Sequence, residues 1–330
     1  MILRLALVAS LASASALADD QKDLVPDAVD KKAPEVDVGW KWRASIGATF
    51  SLAHSKEVVG AQDGSTINLG PGFDVGLDYL GVEHEWRNSL GFRLVVTQTP
   101  AIDEFVKTAD SLTFESIYLW HSPGTPWVGP FAQFQLSTAV LQGEDVRAQD
   151  VTYALPDGTA RTQARLKLTE IFAPMTLKES VGAFLAPYTT PHAKVEIRLG
   201  VGARETFTQE GLALSDDAAT PNVEVIQLED FVQVGGEAFA GVSGAFPLEA
   251  VTINYALGAE TLLPFYSSTG DDKDFADKVV FNLDFKLGVR VFSFMSLDYN
   301  FKAVREPLLV DELQLQNNLL LNFTYVLVDG

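Results

Sequence analysis

The chain has 330 residues, of which 47% are apolar and none is cysteine, and its 24 basic and 44 acidic side chains give a net charge of -20. This composition excludes a disordered chain, because there is ample apolar area to bury, and the absence of cysteine excludes a disulfide scaffold, a thiolate metal site and a cysteine nucleophile. The acidic balance argues against nucleic acid as a partner, since phosphate binding needs a surplus of lysine and arginine.

The first segment, residues 1–18, has the pattern of a cleaved secretory signal peptide. Arg4 precedes an apolar stretch, and the Ala-Leu-Ala sequence at 16–18 is the small-x-small motif that signal peptidase accepts. The stretch after it is acidic and contains proline, which fits a mature tail. We therefore expect a signal peptide at 1–18, a flexible acidic N-terminal tail at 19–38 and a single folded domain at 39–330.

From Gly39 onward, apolar residues recur at every second position, which is typical of β-strands and not of helices. In VVFNLDFKLGVRVF (279–292), one face carries valine, leucine and phenylalanine, and the other carries asparagine, aspartate, lysine and arginine. No run of eighteen uncharged apolar residues follows the first twenty positions, so membrane-spanning helices are excluded. The pattern predicts about twelve strands, near 40–53, 67–80, 82–98, 111–121, 127–142, 164–187, 192–206, 230–246, 250–263, 277–292, 295–305 and 312–327.

The connections between these strands are predicted to alternate in length. Short turns at one end and long loops at the other are typical of bacterial outer-membrane barrels, which also prefer an even number of strands. Pro174 and a change of phase indicate a bulge or a break in the run at 164–187, and Pro307 limits the last long connection to a few residues. The predicted short turns lie around Gly81, 123–124, 189–191, 247–249 and Phe294, and the predicted long loops lie near 54–66, 99–110, 143–163, 207–229 and 264–276.

The chemistry of the two strand faces predicts which face points outward. If the apolar face pointed inward, twelve strands would enclose an apolar cavity too wide for side chains to fill. We therefore expect an all-β fold, a single transmembrane antiparallel up-and-down β-barrel of the outer-membrane type, with outer-membrane lipid and lipopolysaccharide as its surroundings. Aromatic residues near the predicted strand ends fit interfacial girdles: Trp40, Trp42, Trp86, Tyr118, Trp120, Trp127, Tyr188, Tyr255, Phe323 and Tyr325.

The closing strand, LQLQNNLLLNFTYVL, alternates leucine and aromatic residues with glutamine and asparagine. A terminal strand of this kind is what the outer-membrane assembly machinery is expected to recognise, so we predict that machinery as a partner. The predicted location is the outer membrane of a bacterial cell.

Several segments stand in an order that resembles an uncharacterised family of bacterial outer-membrane barrels. They are WRNSL (86–90), DSLTFESIYLWH (110–121), WVGPFAQFQLSTAV, the FAP turn (172–174) and LQLQNNLLLNFTYVL. The likeness covers roughly residues 39–327. The family is known only as a domain of unknown function. The resemblance therefore implies a single outer-membrane β-barrel and supplies no activity, ligand or catalytic residue.

Strand parity predicts a charged and nearly balanced lumen. The excess of negative charge is then expected in the tail and the long loops. Opposed cationic and anionic side chains can form a narrow eyelet that passes small solutes, or they can pair across the lumen and seal it. The predicted lumen-lining residues are Lys41, Arg43, Asp74, Asp78, Arg87, Arg93, Glu115, Lys194, Glu196, Arg198, Arg204, Glu237, Glu260, Asp284, Lys286, Arg290, Asp298 and Lys302.

Enzyme and metal chemistry find little support in the sequence. Neighbouring residues on a strand point to opposite faces, so neither His54-Ser55 nor His121-Ser122 forms a catalytic dyad by itself. The acidic stretch at 271–277 lacks the glycine and terminal glutamate of a helix-loop-helix calcium site. We expect no enzyme activity, no cofactor and no specific metal site.

The sequence thus leaves three functions open, in this order. The first is a porin-like channel or small-solute transporter with a charge-lined lumen. The second is a non-conducting barrel that serves as a scaffold or binds a partner protein through its long loops or its N-terminal tail. An outer-membrane hydrolase comes third.

Overall fold

A computed structural model of the chain describes residues 38–55, 64–190, 192–215, 219–248, 251–270, 273–292 and 294–329. The predicted signal peptide and nearly all of the predicted tail lie outside these ranges, and both stay predictions. No helix within the described ranges is long and apolar enough to cross a membrane.

The described residues form sixteen β-strands and one short 3-10 helix, Phe275–Lys278. In chain order the strands are β1 (Gly39–Ser55), β2 (Gly64–Leu80), β3 (His84–Thr99), β4 (Ile102–Trp120), β5 (Val128–Thr138), β6 (Gly143–Ala154), β7 (Ala160–Thr169), β8 (Met175–Thr189), β9 (Lys194–Phe207), β10 (Leu212–Leu214), β11 (Val223–Gln227), β12 (Phe231–Pro247), β13 (Thr252–Ser267), β14 (Val280–Phe292), β15 (Met295–Glu306) and β16 (Val310–Asp329).

Twelve of these strands close into one antiparallel barrel, which confirms the predicted fold class. Their order around the barrel is β1, β2, β3, β4, β5, β8, β9, β12, β13, β14, β15 and β16, and β16 pairs back with β1. Sequence neighbours pair throughout, apart from the two places where β5 meets β8 and β9 meets β12. Closure leaves no unpaired strand edge in the barrel, which removes a common site of aggregation.

The short connections fall where the sequence predicted them, for example after β2 and after β14. They mark one end of the barrel, here called the turn end, and the other end is called the loop end. At the turn end, Trp40 lies 5.3 Å from Tyr79 and 5.8 Å from Trp86, measured between ring centroids. Such aromatic groups fit the predicted girdle, because these rings prefer the boundary between lipid and water.

The structure corrects one predicted loop at the loop end and confirms one predicted break. The stretch at 99–110 is not a loop, because β3 and β4 continue through it and turn only at Pro100 and Ala101. The run at 164–187 is two strands, β7 and β8, separated by residues 170–174 around Pro174. Strand ends that extend beyond a bilayer need no lipid-facing side, so the period-two pattern is lost there and sequence periodicity misses them.

The predicted loops at 143–163 and 207–229 were wrong, because they contain β6, the start of β7, β10 and β11, and these four strands form a separate sheet. We call this the cap sheet; its order is β10, β11, β6 and β7, and β11 runs parallel to β6. The connection from β5 to β8 supplies β6 and β7, and the connection from β9 to β12 supplies β10 and β11. Because β8 and β9 are neighbours in the barrel, the two connections emerge side by side, and each can cover the apolar side of the other. Its core consists of the buried residues Tyr153, Leu166, Leu168, Val223 and Val225.

The cap sheet is fixed to the barrel on two sides of the loop end. On one side, Arg165 of β7 binds Glu104 of β4 at 2.5 Å. On the other side, Ala213 of β10 packs in one apolar cluster with Phe231 and with Leu309 of the β15–β16 turn. These contacts place the cap sheet over the part of the loop end that runs from β4 through β9 to β15.

Candidate functional site in the barrel interior

Among the described residues, three ion pairs join barrel strands that are not neighbours, so they cross the interior of the barrel. Arg87 of β3 lies 2.9 Å from Glu196 of β9, although β4, β5 and β8 separate these strands. In the same way, Lys178 of β8 lies 3.6 Å from Glu260 of β13, and Arg204 of β9 binds Glu306 at the end of β15. Side chains from opposite parts of the wall therefore meet inside the barrel.

Glu196 is the centre of the first of these contacts. Besides Arg87, it binds Lys194 at 3.3 Å and Arg198 at 3.0 Å, and its side chain is only 3% exposed. The Arg198 guanidinium also lies 4.0 Å from the centroid of the Phe239 ring. Burying this carboxylate is tolerable because three cations surround it. We call Glu196 with Arg87, Lys194 and Arg198 the Glu196 network.

An apolar cluster fills the interior beside the Glu196 network. Ile117 and Leu119 of β4 pack with Phe131 of β5 and Phe184 of β8, and all four are buried. The edge of the His121 ring meets Phe184 at a centroid distance of 5.1 Å. Sequence reasoning missed this cluster, although one signal was present: Ile117 and Leu119 continue the parity of Glu115, so apolar residues replace polar ones on the inner face of β4.

Uncharged polar side chains fill much of the remaining space. Gln135 of β5, Gln233 of β12 and Asn282 of β14 are each 1% exposed. Gln133 donates a hydrogen bond to Glu115 at 2.7 Å. Alternation places Asn282 on the polar face of its strand, but it does not show that Gln135 and Gln233 are buried inside the barrel as well.

The inner face of β2 is built differently, as a ladder of alternating aspartates and arginines. Arg43 of β1 binds Asp78 at 3.0 Å, and Arg93 of β3 binds Asp74 at 2.9 Å. All four residues lie on β1, β2 and β3, so each arginine pairs with an adjacent strand and does not cross the barrel. We call these four residues the β2 ladder.

Glycines leave the space in which the arginines of the β2 ladder lie. A Cβ atom added at Gly76 would be 2.8 Å from Nε of Arg43, and one added at Gly72 would be 2.8 Å from Nη1 of Arg93. These glycines lie on the polar face of β2. Glycine suits these two positions because each guanidinium occupies the space that a larger side chain would fill.

Hydrogen bonds continue this polar surface from β1 to β15. Thr49 of β1 donates to Asn322 of β16 at 2.7 Å, and Asn322 donates to Asp298 of β15 at 2.5 Å. Ser296 donates to the same carboxylate at 2.7 Å. These contacts also stay between adjacent strands, so the side chains hold one another along the wall.

The exposure of the charged side chains divides the interior in two. Arg43, Arg93 and Asp74 are 46%, 45% and 48% exposed, whereas Glu260 and Arg204 are 8% and 3% exposed. We call the tightly packed part, from β4 through β9 to the loop-end halves of β14 and β15, the filled half. The open wall is the inner face of β16, β1 and β2, together with two partial stretches. These are β3 from Arg93 to the loop end, and the turn-end halves of β14 and β15.

The eighteen predicted lumen residues fall into both parts, and none of those on the open wall is buried. That they line a water-filled pore stays a prediction, because burial and ion pairs do not test it. The open wall carries Lys41, Arg43, Asp74, Asp78, Arg93, Lys286, Arg290 and Asp298. The filled half, with the Glu196 network, carries Arg87, Glu115, Lys194, Glu196, Arg198, Arg204, Glu237, Glu260, Asp284 and Lys302.

The described histidines have partners other than serine. His84 Nδ1 lies 2.6 Å from the Tyr118 hydroxyl, and His192 Nδ1 lies 3.2 Å from the Ala245 carbonyl. His121, in the turn after β4, contacts Glu85 through Nε2 at 2.9 Å. This side-chain hydrogen bond raises the pKa of His121. The side chain of His54 lies outside the described part of the structure.

Within the described ranges, no three histidine, cysteine, aspartate or glutamate side chains are grouped so that they could hold a metal ion. Asp271 and Asp272 of the acidic stretch at 271–277 lie outside those ranges.

Comparison with known proteins gives structural matches alone. No family model matches the chain, and no curated protein matches it. The β domain of the Bordetella autotransporter BrkA is 14% identical with a TM-score of 0.37, and the match covers 88% of this chain and 99% of that one. The translocator domain of the autotransporter NalP from Neisseria meningitidis is 11% identical with a TM-score of 0.39, covering 90% of each chain.

An outer-membrane channel from Pseudomonas putida F1 is also similar, with 11% identity, a TM-score of 0.37, and coverage of 91% of this chain and 98% of that one. All three are outer-membrane barrels, and they assign no specific family. At these low scores the matches carry no argument about function, which has to come from the barrel interior.

Proposed function

We propose that this protein is a bacterial outer-membrane channel in which small polar solutes pass along the open wall. The loop end with its cap sheet would face the outside of the cell, and the turn end would face the periplasm. Apolar side chains on the outside of the barrel, such as Val181 and Leu319 at 61% and 62% exposed, support a lipid environment. The same surface makes outer-membrane lipid, lipopolysaccharide and the assembly machinery the expected partners.

The single observation that carries this proposal is the contrast in exposure between the two parts of the interior. A sealed barrel needs its charged residues to be paired and packed from all sides, as in the Glu196 network. The β2 ladder is paired along the wall, yet three of its four side chains, Arg43, Arg93 and Asp74, stay about half exposed, and Asp78 is 17% exposed. Water can therefore reach Arg43, Arg93 and Asp74 inside the barrel, which is what a polar passage requires.

The polar groups of the open wall also provide binding partners for a solute that passes through the barrel. A solute that enters a narrow pore loses part of its hydration shell, and polar wall groups replace those contacts. Along the open wall, charged groups alternate with the Thr49, Asn322 and Ser296 side chains, so replacement partners follow one another. The filled half narrows the passage to one side of the barrel, so we expect low conductance and exclusion of large solutes.

Conductance across a planar lipid bilayer tests the proposal. Purified and refolded protein is expected to give discrete ion currents of low amplitude, and proteoliposomes are expected to swell in small sugars but not in large ones. Heat-modifiable migration on a gel would confirm that the protein is folded. A folded protein that gives no ion current would contradict the channel.

A second candidate, a non-conducting barrel that binds a partner protein, is favoured by one observation. The two longest connections do not form irregular loops but a cap sheet with its own buried core around Tyr153, which also donates a hydrogen bond to Asp145 at 2.8 Å. A folded surface of this kind offers a fixed shape for recognition. Replacing residues 144–168, which contain nearly all of β6 and β7, by a short linker separates the roles, since the channel predicts that current remains after these two strands of the cap sheet are removed.

A further inference from the structure

The ion pair of Arg93 and Asp74 is the more exposed of the two pairs in the β2 ladder. Nη2 of Arg93 donates to both carboxylate oxygens of Asp74, at 3.1 and 2.9 Å. The two side chains are 45% and 48% exposed, whereas Asp78 in the other pair is 17% exposed. Water inside the barrel therefore reaches a cation and an anion at the same place.

Small residues surround this pair on the neighbouring strands. Gly91 of β3 stands opposite Asp74, and Gly72 of β2 stands opposite Arg93. On the other side of β2, Ser45 of β1 is the register partner of Asp74. These three positions carry no long side chain that would cover the pair, so a small solute can approach both charged groups from the interior.

An exposed ion pair can also exchange its partners. Ion pairs in contact with water stabilise a protein little, so separating Arg93 from Asp74 for a bound solute costs little free energy. In the filled half, Arg204 and Glu306 are 3% and 7% exposed, and separating two charges that are buried is strongly unfavourable. The exposed pair therefore suits a transient contact with a passing solute, and the buried pair does not.

The chemistry of the exposed pair distinguishes three classes of charged solute. An anion can bind Arg93 but is repelled by Asp74 beside it, and a cation meets the reverse arrangement. A zwitterion carries both signs, so its carboxylate can bind the guanidinium while its ammonium group binds the aspartate. In an α-amino acid one carbon separates these groups, which fits two partners that lie 2.9 Å apart. Because a zwitterion has no net charge, this match does not depend on the sum of the charges elsewhere on the wall.

We propose that the open wall favours small zwitterions, amino acids in particular, and that Arg93 and Asp74 form the binding site for their two charged groups. The inference rests on the proposed channel function and adds the class of solute. The guanidinium suits the carboxylate, because it can donate two parallel hydrogen bonds to one carboxylate. The ammonium group has three donors and suits the carboxylate of Asp74, which accepts only.

Swelling of proteoliposomes in two isomeric solutes tests the inference. Glycine and glycolamide contain the same atoms, but glycine is a zwitterion and glycolamide is uncharged. After the rate of protein-free liposomes is subtracted, the wild-type protein should admit glycine several-fold faster than glycolamide. The double variant Arg93→Gln, Asp74→Asn keeps the net charge and should bring this ratio close to one, with the rate for glycolamide unchanged. The exchanged pair, Arg93→Asp with Asp74→Arg, should keep the preference, because a zwitterion can bind the pair in either order.

The double variant Arg165→Gln, Glu104→Gln serves as the matched control. Arg165 of the cap sheet and Glu104 of β4 form an ion pair of similar exposure, 48% and 57%, outside the passage. Neutralising this pair should leave the ratio of the two rates unchanged. A wild-type ratio near one, or a ratio that Arg93→Gln, Asp74→Asn leaves unchanged, would overturn the zwitterion inference alone. Folded protein that admits neither solute would overturn the channel and the inference together.

Discussion

The filled half and the open wall are built from the same kind of strand, yet they organise their charges in opposite ways. In the filled half, Arg87 reaches Glu196 across the interior, and Arg204 reaches Glu306. On the open wall, Arg43 and Arg93 bind carboxylates on the adjacent strand. Ion pairs that cross a barrel obstruct it, whereas ion pairs that lie along its wall leave space beside them.

The residues beneath the arginines differ between the two parts. The open wall has Gly72 and Gly76 beneath its arginines, so the side chains can lie flat. In the filled half, bulky inner residues such as Phe131 and Phe184 occupy the wall. Charged side chains nearby then project inward and meet a partner from the far side.

Neutralising one carboxylate in each part is expected to give the largest difference between them, and the quantity that differs is the free energy of unfolding. Glu196→Gln removes a buried charge that three cations share, and it should lower the free energy of unfolding by about 3–5 kcal/mol. Asp74→Asn, the matched change on the open wall, removes a carboxylate that is 48% exposed and should cost less than about 1 kcal/mol. Urea titration of the refolded protein in lipid vesicles measures both.

Equal losses of stability in these two variants would show that the interior is not divided as described. A small loss for Glu196→Gln together with a large loss for Asp74→Asn would reverse the assignment of the two parts.

The next effect concerns conductance. Gly76→Phe places a ring on the inner face of β2, where the atoms nearest to the new Cβ belong to the Arg43 side chain. We expect the conductance to fall several-fold while the barrel still folds. Leu77→Phe places the same ring one residue further, on the lipid-facing side of β2, and should leave the single-channel current unchanged. Similar currents in both variants would mean that solutes do not pass beside β2.

A smaller effect is expected from pH at the turn end of the filled half. The hydrogen bond with Glu85 raises the pKa of His121 above its ordinary value, with Lys194 as the nearby opposing charge. The protonated histidine therefore adds stability at a pH below its unfolded pKa, near 6.5, and this contribution is lost as the pH rises through the higher folded pKa.

His121→Gln tests this pH dependence. The variant should be less stable than the wild-type protein by about 1 kcal/mol at pH 5, and the difference should shrink at pH 9. Unfolding titrations at both pH values measure it. His84→Gln is the matched control, because the described partner of His84 Nδ1 is a tyrosine hydroxyl and not a carboxylate. A stability difference that stays constant between the two pH values would rule out the protonated pair.

The smallest effect is expected from fixing the cap sheet in place. Ala213 and Leu309 share an apolar cluster between the cap sheet and the β15–β16 turn, and the chain has no cysteine of its own. Joining Ala213→Cys to Leu309→Cys with a short thiol-reactive cross-linker should leave the current unchanged, since the cap sheet contacts the strands around the filled half. Loss of current on cross-linking, and its recovery with a cleavable reagent, would instead make the cap sheet a gate.

Much of the barrel could be predicted from period two alone. A strand that divides lipid from an enclosed interior must alternate apolar and polar side chains, so the sequence determined the twelve barrel strands, their short turns and the outward direction of residues such as Phe281 and Phe285. The sequence also showed that glycines occupy the polar face of β2. It could not show which side chains would rest against them.

Only the tertiary structure decided the contacts between residues that are far apart in the chain. Alternation places Arg87 and Glu196 on polar faces, but strand closure and tilt determine that they meet, while Arg93 turns instead to the neighbouring Asp74. The cap sheet likewise joins the β5–β8 and β9–β12 connections, and the alternation of apolar and polar residues did not predict that they would pair. Periodicity reports the environment of each strand face, whereas the packing of one face against another depends on the closed shape that brings them together.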